Sequence, residues 1–262
     1  MSLLQVAHLG KSFGGIKAVD GISFELAAGE LLALIGPNGA GKSTTFNMLN
    51  GQWRADAGSI KLEGQELLGL APRDIWRLGV SRTFQIAETF LSLSVVENVQ
   101  MALLSRDKKL YSFFTRAAHH KREEALNLLD QVSMKAQADR PCRVLAYGDV
   151  KRVELAIAMA NSPKLLLMDE PTAGMAPQER NDLMALTKQL VTDRGMAVLF
   201  TEHSMDVVFA YADRMMVLAR GRLIADGKPF DIRDDPKVQE VYFGTGKTFK
   251  TFAQAPTLKE PV

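Results

Sequence analysis

One cysteine in 262 residues, Cys142, rules out any internal disulfide. That fits a reducing compartment. Cys142 sits between Pro141 and Arg143 with no metal-ligating companion nearby, so it reads as a structural or tolerated thiol. Long apolar runs are also missing. The longest are about five residues, against the roughly 20 needed to cross a bilayer. The stretch Met1 to Leu9 has no basic n-region followed by an apolar core, so no targeting signal is expected. A chain of this kind that works at a membrane would be brought there by another chain. Excess charge is absent as well: 32 Lys and Arg against 30 Asp and Glu leave +2. That balance argues against a dedicated nucleic-acid surface. Nothing in the composition is unusual for a globular chain, with 47% hydrophobic and 24% charged residues.

The run Gly36-Pro37-Asn38-Gly39-Ala40-Gly41-Lys42-Ser43-Thr44 is the most informative feature present. It fits G-x-x-x-x-G-K-[ST], preceded by the apolar Leu31 to Ile35 and followed by a helix pattern over Lys42 to Leu49. A chain this long meets the pattern by accident roughly once in a hundred, and the strand–loop–helix context is the one the motif requires. Glycines let the backbone wrap a polyphosphate with several N–H groups aimed at its oxygens. The helix N-terminus adds partial positive charge. Lys42 would reach the β- and γ-phosphates, and the Ser43 hydroxyl would hold Mg²⁺. A nucleotide polyphosphate with Mg²⁺ is the expected ligand; the resemblance given below implies ATP.

Around this loop the pattern predicts short strands over Leu3 to Leu9, Ile22 to Leu26 and Ser59 to Glu63, forming antiparallel β-structure. Asp74 to Leu78 reads as a helical turn and Val95 to Leu104 as a short helix. Lys108 to Lys121 is basic and aromatic without a clean period: a loop or an exposed helix. Glu123 to Val132 and Asp149 to Asn161 read as helices, the latter with a stripe of Val153, Ala156, Ile157 and Ala160. Leu165 to Met168 and Met196 to Phe200 are buried strands. Pro177 to Arg194 is a helix with Pro in its first turn and Gly195 as its stop. Ser204 to Ala212 reads as a helix, and Met215 to Leu218 with Leu223 to Ala225 as a hairpin across Arg220-Gly221. Strand–helix alternation from 165 to 218 predicts a parallel α/β core. The helical stretch at about 86–163 then becomes an insertion into that core, which spans 1–244, and 245–262 a polar tail.

Asp169 and Glu170 end a buried strand, where α/β proteins place ligands. Asp169 would orient the Mg²⁺ shell through water, and Glu170 would polarise an attacking water. The alternative for the pair alone is an acidic strand end capping Thr172 onward. Leu145-Ala146-Tyr147-Gly148-Asp149 precedes a strong helix, and Gly148 at a helix start again suits a phosphate. A second phosphate site in one chain is economically explained if it closes over the nucleotide of a second copy, under a two-fold axis.

With these residues in order, the chain resembles the ATP-binding subunits of ABC transporters over nearly its whole length. The resemblance runs through Gly36 to Thr44, Thr83-Phe84-Gln85, Leu145 to Asp149, Leu165 to Glu170, Ala173 to Pro177 and Thr201-Glu202-His203. It is closer still to the branched-chain amino acid importer group, carried by Arg82 to Gln85, Tyr147, Ile224 to Pro229 and Asp235 to Gly244. The fold implied is a P-loop ATPase with a mixed, largely parallel core sheet, an antiparallel β-subdomain and an inserted α-helical subdomain. The resemblance implies that Phe13 stacks on adenine, Gln85 joins Ser43 at Mg²⁺, and His203 senses the γ-phosphate. It implies that Ala146, Tyr147, Gly148 and Asp149 cap the partner's nucleotide. Implied partners are a second ATPase subunit, identical or paralogous, two membrane permeases and, indirectly, a periplasmic binding protein. The implied location is peripheral, on the cytoplasmic face of the inner membrane. The implied task is uptake of an amino acid or related small organic acid; a lipid or polysaccharide exporter, or a soluble ATPase acting on nucleic acid or ribosomes, are the alternatives.

Two positions depart from that pattern. Ala146 stands where a Ser hydroxyl usually reaches across to the γ-phosphate, and Ala176 where Asp or Asn is frequent. A lost hydrogen bond to a charged group costs roughly 1.5–3 kcal/mol. His8, His119 and His120 carry no comparable context.

Overall fold

The computed structural model of the chain describes residues 2–83, 89–107 and 121–243. Phe84, Gln85, the segment 108–120 and the tail from 245 lie outside the described residues.

Two sheets build the molecule. The first is antiparallel, in the order β2-β1-β4-β5, with β1 Ser2–Phe13, β2 Ile16–Ala27, β4 Ala57–Leu62 and β5 Gln65–Glu66. β1 and β2 run well beyond the apolar alternation of their middles. Register shifts break the pairing at several points, so the outer ends carry polar residues that no simple alternation flags.

The second sheet has the order β10-β9-β3-β8-β7-β6. β3 (Leu31–Ile35), β8 (Ala197–Thr201), β7 (Leu165–Asp169), β6 (Val80–Thr83) and β9 (Arg214–Ala219) are mutually parallel, while β10 (Arg222–Gly227) returns antiparallel to β9. The central strands are apolar on both faces, and alternate residues feed two cores. Leu31, Ala33 and Ile35 join Leu166, Met168, Val198 and Phe200 on one side. Leu32 and Leu34 join Leu165, Leu167 and Leu199 on the other, with Phe46, Leu4 and Leu26. A one-residue slip in β3 would swap these faces.

Helix α1 (Lys42–Leu49) follows β3, and α2 (Pro72–Arg77) precedes β6. Helices α3 (Val95–Arg106), α4 (Arg122–Gln131) and α5 (Tyr147–Met159) pack on one another. A reciprocal capping box of Ser94 and Glu97 opens α3. α5 buries Leu155, Ala158 and Met159 beyond the expected stripe, because it meets α3, α4, α6 (Pro177–Arg194) and β6 at once. Helices α7 (Met205–Tyr211), α8 (Pro229–Arg233) and α9 (Pro236–Phe243) complete the fold. Cys142 is buried, takes a hydrogen bond from Asn98, and has its thiol pKa pushed up by burial. Among the described residues, no helix is long and apolar enough to cross a membrane.

Candidate functional site

The loop between β3 and α1 needs its glycines for stated reasons. Gly41 has φ +107, and a Cβ there would lie 2.3 Å from the Ala18 carbonyl oxygen on β2. A Cβ on Gly36 would lie 2.2 Å from the Leu218 carbonyl oxygen on β9. Gly39, by contrast, faces open space, and Pro37, Asn38 and Gly39 are exposed. Gly41 caps α1 without a side chain, so the first-turn N–H groups beside Ser43 and Thr44 are not consumed by a capping oxygen. From behind, the turn between β9 and β10 braces the loop: Gly221 N–H donates to the Ala40 carbonyl at 3.0 Å, and Asp20 N–H to Gly221 at 2.8 Å. That two-residue turn has positive φ at both Arg220 and Gly221, as a tight hairpin demands.

Lys42 is buried, and its Nζ donates to the carbonyls of Gly36 at 2.6 Å and Pro37 at 3.2 Å. Burial pushes its pKa below the ordinary lysine value, and the carboxylates of Glu170 and Asp169 pull it partly back. The lysine of α1 and the acids after β7, more than a hundred residues apart, therefore share one electrostatic site.

Three strand ends meet beside it. Asp169 Oδ1 accepts from Thr201 Oγ1 at 2.7 Å, and Asp169 Oδ2 from Arg82 at 2.9 Å. Glu170 stands at φ +47, a left-handed conformation that a glutamate rarely adopts. Its N–H is pinned by Thr201 Oγ1 at 3.0 Å. Its Oε1 lies 2.9 Å from Nε2 of His203. An ionised carboxylate only accepts, so in that pairing Nε2 carries the proton.

Glu202, which the sequence pattern did not single out, organises both acidic turn and histidine. Its buried carboxylate accepts from Thr172 N at 3.0 Å, Thr172 Oγ1 at 2.6 Å, His203 N at 3.1 Å and Ser204 N at 3.3 Å. Its only sequence signal was its place beside His203.

Phe13 ends β1, half exposed, its ring edge-on to Trp53 with centroids 5.1 Å apart. Lys11 Nζ lies 5.4 Å from the Phe13 centroid and is tied to Asp56 at 2.8 Å.

The Leu145–Asp149 stretch is differently placed. α5 begins at Tyr147, two residues before the expected start, so Gly148 and Asp149 lie in its first turn. Asp149 accepts from Gln137 at 3.1 Å. Gly148 packs against Glu179 and Met175, near the start of α6. Glu179 in turn accepts the Ala176 N–H at 3.1 Å. This turn thus packs on α6 and hydrogen-bonds through Asp149 to the 3₁₀ turn at Lys135–Gln137, whereas Lys42 bonds to the loop carbonyls and Glu170 pairs with His203. Ala146 is the N-cap, extended at φ −66 and ψ 154, and it supplies no capping oxygen. Ala146→Ser is therefore expected to stabilise the fold by about 1 kcal/mol, a rise in Tm of about 2–4 °C for a chain this size. ATP-dependent self-association should be equal or tighter. Calorimetry and light scattering check both; a lower Tm with weaker association refutes the reading of this position.

Residues 19–173 match the family described as ABC transporter. The chain belongs to that family. Residues 222–248 of this cassette also match a segment described as branched-chain amino acid ATP-binding cassette transporter. The cassette is 37% identical over 252 residues to the Pseudomonas aeruginosa high-affinity branched-chain amino acid transport ATP-binding protein BraF, covering 92% of this chain and 98% of that one. It is 38% identical over 249 residues to Escherichia coli LivG, a protein of the same description, with the same coverage. Among solved structures it superposes on a nucleotide-free ATP-binding cassette from an ABC transporter, with TM-score 0.83 and 31% identity over 93% of this chain and all of that one. The ADP conformation of the cassette MJ1267 also gives TM-score 0.83, at 32% identity over 93% and 99% of the two chains. The cassette is thus an ABC ATPase with the P-loop NTPase α/β fold.

Proposed function

We propose that this cassette powers uptake of branched-chain amino acids or related small organic acids, as one of two ATPase subunits beneath a pair of membrane permeases. The observation that carries the reading is the convergence of Lys42, Asp169, Glu170 and His203 at the C-terminal ends of β3, β7 and β8. The relatives described for branched-chain amino acid transport support the substrate class.

In this reading Phe13 stacks on adenine, and the N–H groups of residues 36–44 with Lys42 hold the phosphates. Ser43, Gln85 and Asp169 would hold Mg²⁺, which when bound neutralises phosphate charge. The donor set fits that ion as a hydroxyl, an amide and a carboxylate, all hard oxygen ligands. Glu170 accepts a hydrogen bond from the attacking water and orients it in line with the γ-phosphorus. His203 donates toward the charge that develops on the transferred group. Catalysis is mainly positioning and electrostatics. Ala146, Tyr147, Gly148 and Asp149 of a second copy, or of a paralogue, close over the nucleotide. The helices between about 86 and 163 transmit closure to the permeases, and a periplasmic protein delivers the substrate. The subunit works at the cytoplasmic face of the membrane.

Proteoliposomes holding the cassette, its two permeases and the binding protein test this. ATP inside the complex should drive accumulation of labelled leucine, isoleucine or valine. ATP-driven extrusion of a lipid or polysaccharide without amino acid uptake would overturn it, as would partner-independent binding to DNA or ribosomes.

A further inference from the structure

Arg82 has no place in the chemistry above, yet it is the cation nearest the acidic strand end. Its side chain is only 9% exposed. A guanidinium so buried needs charged or hydrogen-bonding partners. One terminal nitrogen donates to Asp169 Oδ2 at 2.9 Å. The other donates to Asn47 Oδ1 at 2.6 Å and Gln52 Oε1 at 3.3 Å. The guanidinium carbon lies 5.7 Å from the centroid of the Phe46 ring. Asn47 and Phe46 belong to α1, whose first turn carries Lys42 and Ser43.

Asp169 is therefore gripped from both sides. Thr201 of β8 occupies Oδ1 and Arg82 of β6 occupies Oδ2. The remaining lone pairs of the carboxylate have one orientation, fixed relative to α1 through Asn47. A carboxylate that acts on a cation through water depends on such orientation, and removal of outer-shell partners of a metal site typically costs 10–100-fold in metal affinity. The Arg82 charge also offsets that of Asp169, which disfavours a lone cation at the strand end.

We propose that Arg82 is a positioning residue for Mg²⁺: it sets Asp169 against the phosphate-loop helix so that the ion is taken up with the nucleotide rather than before it. This rests on the reading of Asp169 given under Proposed function. Lysine is a poor substitute, because it is a single point charge and cannot bridge Asp169 and Asn47 in one plane.

The test is binding, not turnover. A fluorescent ATP analogue is titrated onto the full chain in EDTA and again in Mg²⁺, and the ratio of the two affinities is taken. Arg82→Met should leave binding in EDTA within about twofold and cut the Mg²⁺-dependent gain by about tenfold or more. Arg82→Lys should recover only part of it. A merely structural role would weaken both conditions alike and leave the ratio unchanged, which overturns the proposal. So does a larger ratio, which would make Arg82 a competitor of the ion. Asp169→Asn separates the two readings. If it loses the gain while Arg82→Met keeps it, only the Arg82 proposal falls. If both keep it, Asp169 is no Mg²⁺ residue and both readings fall. Should Arg82→Met not fold, Asn47→Ala leaves the ion pair and removes its anchor on α1. A reduced ratio there supports the proposal, and an unchanged one overturns it.

Discussion

Glu170→Gln is expected to abolish ATP turnover, with phosphate release falling by about 10²–10⁴-fold, the usual worth of a general base. Nucleotide binding should stay within about twofold, since the substitution keeps side-chain size and removes no contact assigned to the phosphates. The amide oxygen can still accept from His203 Nε2, so the 2.9 Å pairing and the backbone turn are retained. What is lost is the negative charge that draws a proton from water. The left-handed backbone at Glu170 persists because Thr201 holds its N–H, and that conformation aims the side chain at His203 rather than along the strand. With hydrolysis blocked, ATP should accumulate a closed pair of subunits, visible as a dimer by size exclusion with light scattering. Turnover at the wild-type rate would remove Glu170 from the mechanism.

The sequence already divides the proposed roles, Asp169 toward Mg²⁺ and Glu170 toward water, and the structure gives that proposed division a physical basis. The dipeptide Asp169-Glu170 is visible in sequence because an apolar strand leads into it. The division of labour is a matter of geometry. Asp169 has both oxygens engaged, by Thr201 and Arg82, and Glu170 faces the exposed His203.

The legible parts of the fold are those where one physical constraint acts alone. β3, β7 and β8 are buried on both faces and so appear as unbroken apolar runs. Gly36 and Gly41 of the loop after β3 are dictated by backbone carbonyls a Cβ would strike. α6 begins at Pro177 and ends at Arg194 with Gly195 as its C-cap, the expected start and stop signals. The illegible parts are those where tertiary contacts override local pattern. β6 reads Val-Ser-Arg-Thr, with Ser81 and Thr83 buried beside the part-buried Arg82, and it has no strand signature of its own. It is a strand because β7 pairs with it. Glu202 is acidic and next to an exposed histidine, which suggests a surface, yet four donors converge on it in the interior. The brace from Gly221 to the phosphate loop spans 181 positions and leaves no local trace.

Lys42→Met is expected to separate binding from stability. In the proposed site the ammonium meets the β- and γ-phosphates, and a hydrogen bond to a charged group is worth about 1.5–3 kcal/mol. Affinity for ATP should therefore fall by about 10–150-fold. The unliganded fold should hold its Tm or gain. The ammonium is buried, and among the described residues its hydrogen bonds go to carbonyl oxygens, so an unbranched apolar side chain of similar length relieves a desolvation cost. The same burial gives a pH signature. Because the folded pKa of Lys42 lies below its unfolded value, the unfolded chain binds more protons between the two. Wild-type stability contributed by this residue therefore rises as pH climbs through the folded pKa toward about 10.4, the ordinary lysine value. The methionine variant should lack that alkaline gain, which denaturant titrations at stepped pH would reveal as a flatter profile. A variant that loses both Tm and binding would mean that Lys42 serves chiefly to hold its loop together through the Gly36 and Pro37 carbonyls. Retention of ATP affinity would remove it from the phosphate site altogether.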